Sequence, residues 1–442
     1  MKNSPNARIW QFFILHSSFF IKQSVMLLSY LKIAWKVLLR RKFFTAISLF
    51  GISFTLMILL VVYAMFDYTV GSHRPELRAD RLLFINRMQL LYRDGGQSNS
   101  SVGYAFLDRY VRTLHTPEKV SISDANWGTM VVYVGQQVLK LDSKITDAEF
   151  WQVLDFEFVA GRPYNVAEVR SAAHVVVITE TTSQRYFGTT VGVVGRNMVL
   201  EAVPYRVMGV VHDVPISRAN TYAELWTPVT TATDNLRDPD YMGHYQAIVL
   251  ARTVADVPRV KDEYQQVIAR VPLPDPKVFS KVNSYAQTML ASLTARFSSD
   301  AGAGGGVGRF ASLMLGMTLL FMLLPALNLI NINVSRTLER SAEIGVRKAF
   351  GATAGALVGQ FLMENVFLTL LGGVLGLGLA AGALALLNES HFLPYSTYAL
   401  NGRVFAVALG VVVFFGLLSG AYPAYKMSKL QAVKALKGET AA

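Results

Sequence analysis

The chain contains four apolar stretches long enough to form membrane-spanning helices. A helix that crosses a hydrocarbon core of about 30 Å needs about 20 mostly apolar residues. Runs of this length predict transmembrane helices at 43–66, 309–335, 357–387 and 404–425. The pattern as a whole therefore predicts an α-helical, multi-pass membrane protein.

Basic residues beside these stretches predict which ends are cytoplasmic. Short flanks rich in Lys and Arg stay on the cytoplasmic side, whereas long domains are translocated largely regardless of charge. The basic flanks are Lys32, Lys36, Arg40, Arg41 and Lys42 before the first run, Arg336, Arg340, Arg347 and Lys348 after the second, and Lys426, Lys429, Lys434 and Lys437 after the fourth. They place segments 1–42, 336–356 and 426–442 inside, and segments 67–308 and 388–403 outside.

The N-terminal segment is predicted to touch membrane lipid. QFFILHSSFFI is hydrophobic but too short to span, and no convincing cleavage site follows it. It is interpreted either as an interfacial anchor or as an extension upstream of a start near Met26. Further on, YLKIAWKVLLRRK at 30–42 has apolar residues at helical spacing and basic residues opposite, which predicts an amphipathic helix on the anionic inner leaflet.

Segment 67–308 is predicted to be an α+β domain, with two subdomains, inserted between the first two transmembrane helices. The runs that predict strands are VVYVGQQVLKL, HVVVITE, YRVMGVVHDV and QAIVLAR. The runs that predict helices are TTSQRYFG, ended by Gly188, then VPRVKDEYQQVIARV and SYAQTMLASLTARF. The glycine-rich AGAGGGVG at 301–308 is interpreted as a flexible linker, with a functional hinge as the alternative.

Composition supports a membrane protein and narrows the chemistry. Apolar residues make up 52% and charged residues 16% of the chain, and the net charge of +12 collects beside the hydrophobic runs. That placement favours a membrane partner over nucleic acid, which would need a basic stripe with interleaved aromatic residues. The absence of cysteine excludes disulfides and cysteine zinc sites, so a bacterial protein is the natural interpretation.

No catalytic, cofactor-binding or metal-binding residues are predicted. The sequence contains no HExxH motif, no GxSxG elbow and no metal-ligand cluster, and the adjacent His212 and Asp213 are interpreted as a structural turn. It also contains no GxxxxGK[ST] phosphate loop, which P-loop ATPases need to bind nucleotide. The chain is therefore not expected to be an enzyme or to bind a cofactor itself.

A charged segment follows the second predicted span. Residues 336–350 predict a helix with Glu343 and Arg347 at i,i+4 spacing, ended by Gly351. The simplest interpretation is a solvated face between two spans, and docking of another protein is the sharper one. The surrounding sequence, NVSRTLERSAEIGVRKAFGATAGALVGQFLMENVFLTLLGGVLG at 333–376, resembles the FtsX-type permease core of the MacB, LolC and LolE proteins.

Two further stretches extend the resemblance. ITDAEFWQVLDFEFVAGRPY and the strands after it resemble the periplasmic core domain of MacB-like permeases, and AYPAYKMSKLQAVKALKG resembles the family's C-terminal signature. The resemblance implies the permease subunit of an ABC transporter in a bacterial inner (plasma) membrane. It also implies a coupling helix that docks on an ATPase, formed here by Arg336, Glu339, Arg340, Glu343, Ile344, Gly345, Arg347, Lys348 and Gly351.

The same resemblance implies the partners and the mechanism. MacB carries its ATPase fused at the N-terminus, whereas this sequence departs from that pattern, so ATP and Mg²⁺ are expected on a separate cytoplasmic ATPase subunit. We expect a homodimer or a heterodimer with a paralogous permease, and a membrane-fusion protein and outer-membrane channel as further partners. The implied mechanism is mechanotransmission to the external domain for export or extraction of a substrate; the alternative is an FtsX-like regulator of a cell-wall partner.

The third predicted span carries small residues and one acid. Gly372 with Gly376, and Gly378 with Gly382, have spacings that allow close helix approach, either within the subunit or at a dimer contact. Glu364 is the single charge in this span, where burial at the bilayer centre costs at least about 2.5–3.5 kcal/mol. We interpret Glu364 in three alternative ways: it makes a structural hydrogen bond, it contacts Lys348, or it has a direct functional role.

Overall fold

The chain divides into two compact units. The computed structural model describes residues 35, 39–40, 42–295, 297, 304, 306–339, 345–346, 349–351, 353–390 and 395–428. The sheet unit comprises Met65–Leu313 and Asn388–Thr397. The helix unit comprises Met1–Ala64, Met314–Leu387 and Tyr398–Ala442.

Helices dominate the helix unit and are short in the sheet unit. In chain order they are α1 Lys42–Val70, α2 Tyr104–Phe106 followed by a π-helical turn Leu107–Val111, α3 Phe150–Val153, α4 Val166–Arg170, α5 Glu180–Phe187, α6 Val257–Arg270, α7 Met289–Ala295, α8 Val307–Glu339, α9 Ala354–Ser390 and α10 Gly402–Ser428. Short 3₁₀ turns occur at Val229–Thr231 and Val254–Asp256.

The strands of the described residues lie between α1 and α8. They are β1 Leu82–Ile85, β2 Met88–Tyr92, β3 Gln97–Val102, β4 Pro117–Asp124, β5 Gly128–Val134, β6 Gln137–Thr146, β7 Phe158–Gly161, β8 Val175–Thr179, β9 Asn197–Leu200, β10 Val203–Val211, β11 Leu225–Pro228, β12 Met242–Gly243, β13 Tyr245–Ala251 and β14 Phe279–Ser284.

These strands form one mixed sheet with the order β14-β2-β3-β13-β4-β6-β11-β8-β10-β7, and β1, β12, β5 and β9 pair at its sides. Only the β8/β10 and β6/β11 pairs are parallel; the other pairs are antiparallel. Every residue of β8 and of β13 is buried, which explains why their sequences are apolar without strict alternation.

The interior of the sheet unit contains two hydrophobic clusters. The larger surrounds β1, β4 and β13 and is covered by α6, which buries Val260, Tyr264 and Ile268 at four-residue spacing. The smaller cluster is formed by β5, β6, β8, β9 and β10. The α+β class and the predicted strands at β5/β6, β8, β10 and β13 are confirmed. Gly188 directly follows α5 as its C-cap, with a φ of 74° that suits glycine.

The helix predicted over SYAQTMLASLTARF is wrong in its first part. Ser284 ends β14, and the helix begins only at Met289. Between them, Gln287 exchanges two backbone hydrogen bonds with Phe84 at the edge of β1, with N–O distances of 2.7 and 2.9 Å. This pairing with a strand about two hundred residues away uses the backbone groups that an earlier helical turn would need.

Among the residues that the structure describes, two helices have the length and apolar composition needed to cross a membrane. They are α1 and the part of α9 at Leu357–Ser390. Shorter apolar segments occupy Val307–Phe321 in α8 and Val404–Leu418 in α10. Helix α8 continues without a break through Arg336 to Glu339, so the first residues of the predicted coupling helix extend the second long helix.

Candidate functional site

The predicted coupling segment ends in an exposed aromatic residue. Gly345, Val346 and Ala349 are helical, and the Phe350 backbone N–H donates to the Val346 carbonyl at 3.0 Å. The Phe350 side chain is 87% exposed. Gly351 follows with a φ of 88°, a left-handed conformation that ends a helix and that glycine adopts far more easily than other residues. Arg340, Glu343, Ile344, Arg347 and Lys348 lie outside the described residues.

Helix α9 packs closely against α1 through the first predicted glycine pair. A Cβ added to Gly372 would meet Ile52 Cγ2 at 2.6 Å, and one added to Gly376 would meet the Ser53 carbonyl oxygen at 2.9 Å. The two helices approach at a distance that only glycine permits. This pair therefore serves packing within the subunit.

The second predicted glycine pair is not used in the same way. A Cβ added to Gly378 or to Gly382 would meet no atom within 4 Å. Both glycines share α9 with Gly372 and Gly376, so one spacing pattern gives two different environments on the same helix. The sequence spacing alone could not distinguish them.

Glu364 has a hydrogen-bond donor on its own helix. The Gln360 side-chain amide donates to the Glu364 carboxylate at 3.1 Å, one turn earlier in α9, and Glu364 is half-buried. A local polar partner reduces the cost of placing a carboxyl group in an apolar run. Lys348, the other predicted partner, lies outside the described residues.

The structure reveals a buried ion pair that the sequence analysis missed. Arg218, in the loop between β10 and β11, contacts the Glu76 carboxylate at 2.5 Å, and both side chains are fully buried. Glu76 follows α1 by six residues. No motif or spacing marks either residue, because their contact joins positions 142 residues apart.

His212 and Asp213 contact residues at the start of α5. Asp213 accepts hydrogen bonds from the Thr181 backbone N–H at 3.3 Å and the Thr181 hydroxyl at 2.8 Å, which caps the first turn of α5. His212 contacts Glu180 at 2.6 Å in the same turn. Over the part of the chain that the structure describes, no group of three or more His, Cys, Asp or Glu residues could hold a metal ion.

The sheet unit also has an open polar cavity of about 260 Å³. Its lining includes Asn86, Asn99, Ser101 and Asn126, together with the Arg87 side chain, whose guanidinium donates to the Ala295 carbonyl at 3.0 Å. Amide and hydroxyl groups suit hydrogen-bonding contacts rather than burial of a large apolar ligand. The cavity lies on the same unit as the buried ion pair.

Comparison with known families accounts for both units. The MacB-like periplasmic core domain matches residues 45–267, and the FtsX-like permease C-terminal domain matches residues 315–432. The chain belongs to the MacB/FtsX-like family of ABC transporter permeases. Members of this family are inner-membrane permeases, and the sheet unit of this permease contains its MacB-like periplasmic α+β domain.

The permease is similar to longer curated relatives. It is 27% identical over 420 residues to the pyoverdine export ATP-binding/permease protein PvdT of Pseudomonas savastanoi pv. phaseolicola, covering 93% of this chain and 60% of that protein. It is 26% identical to the macrolide export ATP-binding/permease protein MacB of Bdellovibrio bacteriovorus, covering 73% of this chain and 46% of that one. The permease thus spans about half to three fifths of these relatives' length.

About half of the permease is similar to solved structures of permease domains. The periplasmic region of MacB from Actinobacillus actinomycetemcomitans matches with a TM-score of 0.33 and 12% identity, over 49% of this chain and 94% of that one. A domain of a permease protein from Porphyromonas gingivalis matches with a TM-score of 0.38 and 14% identity, over 48% of this chain and 90% of that one.

Proposed function

We propose that this permease converts ATP hydrolysis on a separate cytoplasmic ABC ATPase into movement of its MacB-like domain outside the membrane. ATP and Mg²⁺ would be bound by that ATPase, and the segment from Arg336 to Gly351 would be its docking site. The observation that carries the proposal is Phe350, an aromatic ring 87% exposed at the end of this segment. Exposed aromatic rings in such a position are typical anchors for a protein partner.

The proposed topology has four spans. Helices α1, α8, α9 and α10 would cross the membrane at 43–66, 309–335, 357–387 and 404–425, with both termini cytoplasmic. The length and apolar composition of α1 and α9 support this topology, as do the basic residues that flank the predicted spans. The sheet unit, which begins in the last part of α1, would then face the periplasm or the cell exterior.

The proposed outcome is export or extraction of a substrate from the periplasm or the membrane. The relatives named for pyoverdine export and macrolide export support a transport role over the regulation of a cell-wall enzyme. The permease would act as a homodimer or with a paralogous permease, and with a membrane-fusion protein and an outer-membrane channel. The substrate could then be collected outside the inner membrane.

The docking proposal is tested with two exposed aromatic residues. Replacing Phe350 with Ser should weaken binding of the ATPase by about ten- to a hundredfold, seen as a loss of ATPase that co-purifies from native membranes, because loss of one buried aromatic contact costs on the order of 1.5–3 kcal/mol. The matched control is Tyr133→Ser, which removes a ring 67% exposed on β5, in the sheet unit. Replacing both Glu343 and Arg347 with Ala should act in the same direction as Phe350→Ser.

Membrane insertion of every variant is checked by the accessibility of the sheet unit to protease added to spheroplasts. The docking assignment is abandoned if the Phe350→Ser and Glu343→Ala/Arg347→Ala proteins insert normally and still retain the ATPase at the level of Tyr133→Ser.

A further inference from the structure

The last turn of α1 belongs to the sheet unit, which begins at Met65. The final carbonyl groups of a helix have no partners within the helix and carry a partial negative charge. Here Arg218 supplies the missing donors: one guanidinium nitrogen, Nη2, donates to the Tyr68 carbonyl at 2.7 Å and to the Gly71 carbonyl at 2.9 Å. A cation from a distant loop therefore caps the end of α1.

The other end of the guanidinium is fixed by Glu76. Its Nη1 donates to one Glu76 carboxylate oxygen at 2.5 Å, and the Thr221 hydroxyl donates to the other at 2.5 Å. All three side chains are buried. Separating the pair would leave an unpaired buried charge, which costs about 3–5 kcal/mol, so the contact opposes separation of the two backbone segments.

Each partner of the pair stands on a firmly held segment. The Arg218 carbonyl accepts from the backbone N–H groups of Thr221 at 3.0 Å and Tyr222 at 2.8 Å, which closes the turn that leads into β11 in the middle of the sheet. On the other side, Arg78 contacts Asp155 at 3.0 Å, just beyond α3. The segment after α1 is therefore joined to two loops of the sheet unit, one before β11 and one after α3.

We propose that the Arg218–Glu76 pair is the joint that transmits displacement of the first helix to the sheet. With the pair intact, the last turn of α1 and the loop between β10 and β11 move as one piece, so a push on α1 reaches β11 instead of being absorbed at residues 71–76. Arg218 and Glu76 are thus positioning residues for force transmission. The inference rests on the proposed function, since it concerns motion that the ATPase would drive.

The test follows two distances in the full-length permease with its co-purified ATPase in lipid nanodiscs. The chain has 0 cysteines, so spin labels can be attached at introduced cysteines without background. Labels at Tyr63 and Leu386, exposed by 41% and 69%, report movement of α1 against α9. Labels at Gln137, at the exposed tip of the β5–β6 hairpin, and Leu386 report movement of the sheet unit.

Trapping the complex with a non-hydrolysable ATP analogue should change both distances in the unmodified permease. The variant Arg218→Met/Glu76→Met removes both charges together, which often preserves folding. In this double variant, the nucleotide analogue should still change the Tyr63–Leu386 distance but should no longer change the Gln137–Leu386 distance. The matched control, Arg112→Met/Asp147→Asn, removes another ion pair of the sheet unit, with an N–O distance of 3.0 Å, and should behave like the unmodified permease.

The possible results distinguish failure of the proposed joint from failure of the proposed function. If neither distance responds to nucleotide in the unmodified permease, the proposed function fails. If both distances change together in Arg218→Met/Glu76→Met, the proposed function stands and the joint is overturned. Should that variant not fold, Arg218→Lys carries the same test, because lysine keeps the charge but lacks the planar fork that reaches a carboxylate and two carbonyls at once.

Discussion

The sheet unit and the helix unit fill space in opposite ways. In the sheet unit, large rings pack together: Trp226 is fully buried, 5.9 Å from Trp151 and 5.2 Å from Phe156 between ring centroids. In the helix unit, α9 meets α1 where Gly372 and Gly376 have no side chain at all. One unit is held together by what its side chains bury, and the other by how closely its backbones approach.

The difference fits the proposed topology, in which the sheet unit faces water and the helix unit lies in lipid. Burial of apolar area from water stabilises a domain by about 25 cal/mol per Å², so large side chains are rewarded in a water-facing unit. Lipid is as apolar as leucine, and helices in a bilayer gain stability mainly from close packing and hydrogen bonds. The contrast predicts opposite responses to removing and adding volume.

Removing volume should harm the sheet unit most. Trp226→Ala should lower its free energy of unfolding by about 3–5 kcal/mol, because the lost ring leaves a cavity beside Trp151 and Phe156. Hydrogen exchange followed by mass spectrometry should show faster exchange in β8, β10 and β11 and unchanged exchange in α9. Trp127→Ala is the control: this ring is half-buried and contacts Tyr222 at the edge of the cluster, so its loss should cost less. Equal costs for the two would contradict the role given to the buried rings.

Adding volume should harm the helix unit instead. Gly376→Leu places a side chain where a Cβ already meets the Ser53 carbonyl oxygen at 2.9 Å and Leu56 Cβ at 3.0 Å. Overpacking of this kind costs about 1–3 kcal/mol, so α1 and α9 peptides should exchange faster while the sheet unit is unaffected. Gly378→Leu, on the same helix with nothing within 4 Å of the added Cβ, should exchange like the unmodified protein. A similar loss of protection in both variants would show that the α1–α9 contact is not what the substitution disturbs.

The last expected effect is a pH response confined to the sheet unit. Burial raises the pKa of Asp124 to about 6, although the Ile145 backbone N–H and the charges of Lys144 and His244 oppose the rise and Asp234 adds to it. A folded-state pKa above the unfolded value means that the protonated carboxyl favours folding below about pH 4, and that this contribution is lost as the pH rises through about 6. The α1–α9 contact at Ile52, Ser53, Gly372 and Gly376 has no titratable group.

Asp124→Asn keeps a neutral side chain at every pH. Relative to the unmodified permease, it should therefore gain stability as the pH rises from 4 to 7.5, by an amount on the order of 2 kcal/mol. The measurement is the difference in unfolding free energy between the two proteins, from hydrogen exchange of β4 and β6 at each pH. A difference that is constant from pH 4 to pH 7.5 would count against the raised pKa.

Much of the fold was predictable because its signals are local. Two apolar runs became α1 and α9, and the apolar sequences HVVVITE and QAIVLAR predicted the strands β8 and β13. The predicted charged segment after α8 ends at Gly351, whose positive φ shows why glycine stands there. Short strands such as β1 and β14 were not predicted, since their pairing partners lie far away in the chain.

The sequence by itself determined four features of this protein: the apolar runs, the basic flanks, the coupling-segment motif and the lack of a phosphate loop. Each depends only on hydropathy, charge or a short motif, and these are properties of residues close together in the chain. Only the tertiary structure decided which glycine pair packs against α1. It also decided that Arg218 contacts both Glu76 and the carbonyl groups at the end of α1. Such contacts depend on the position and direction of elements brought together from distant parts of the chain. Spacing along the sequence specifies which residues share a helix face, but only folding determines what that face meets.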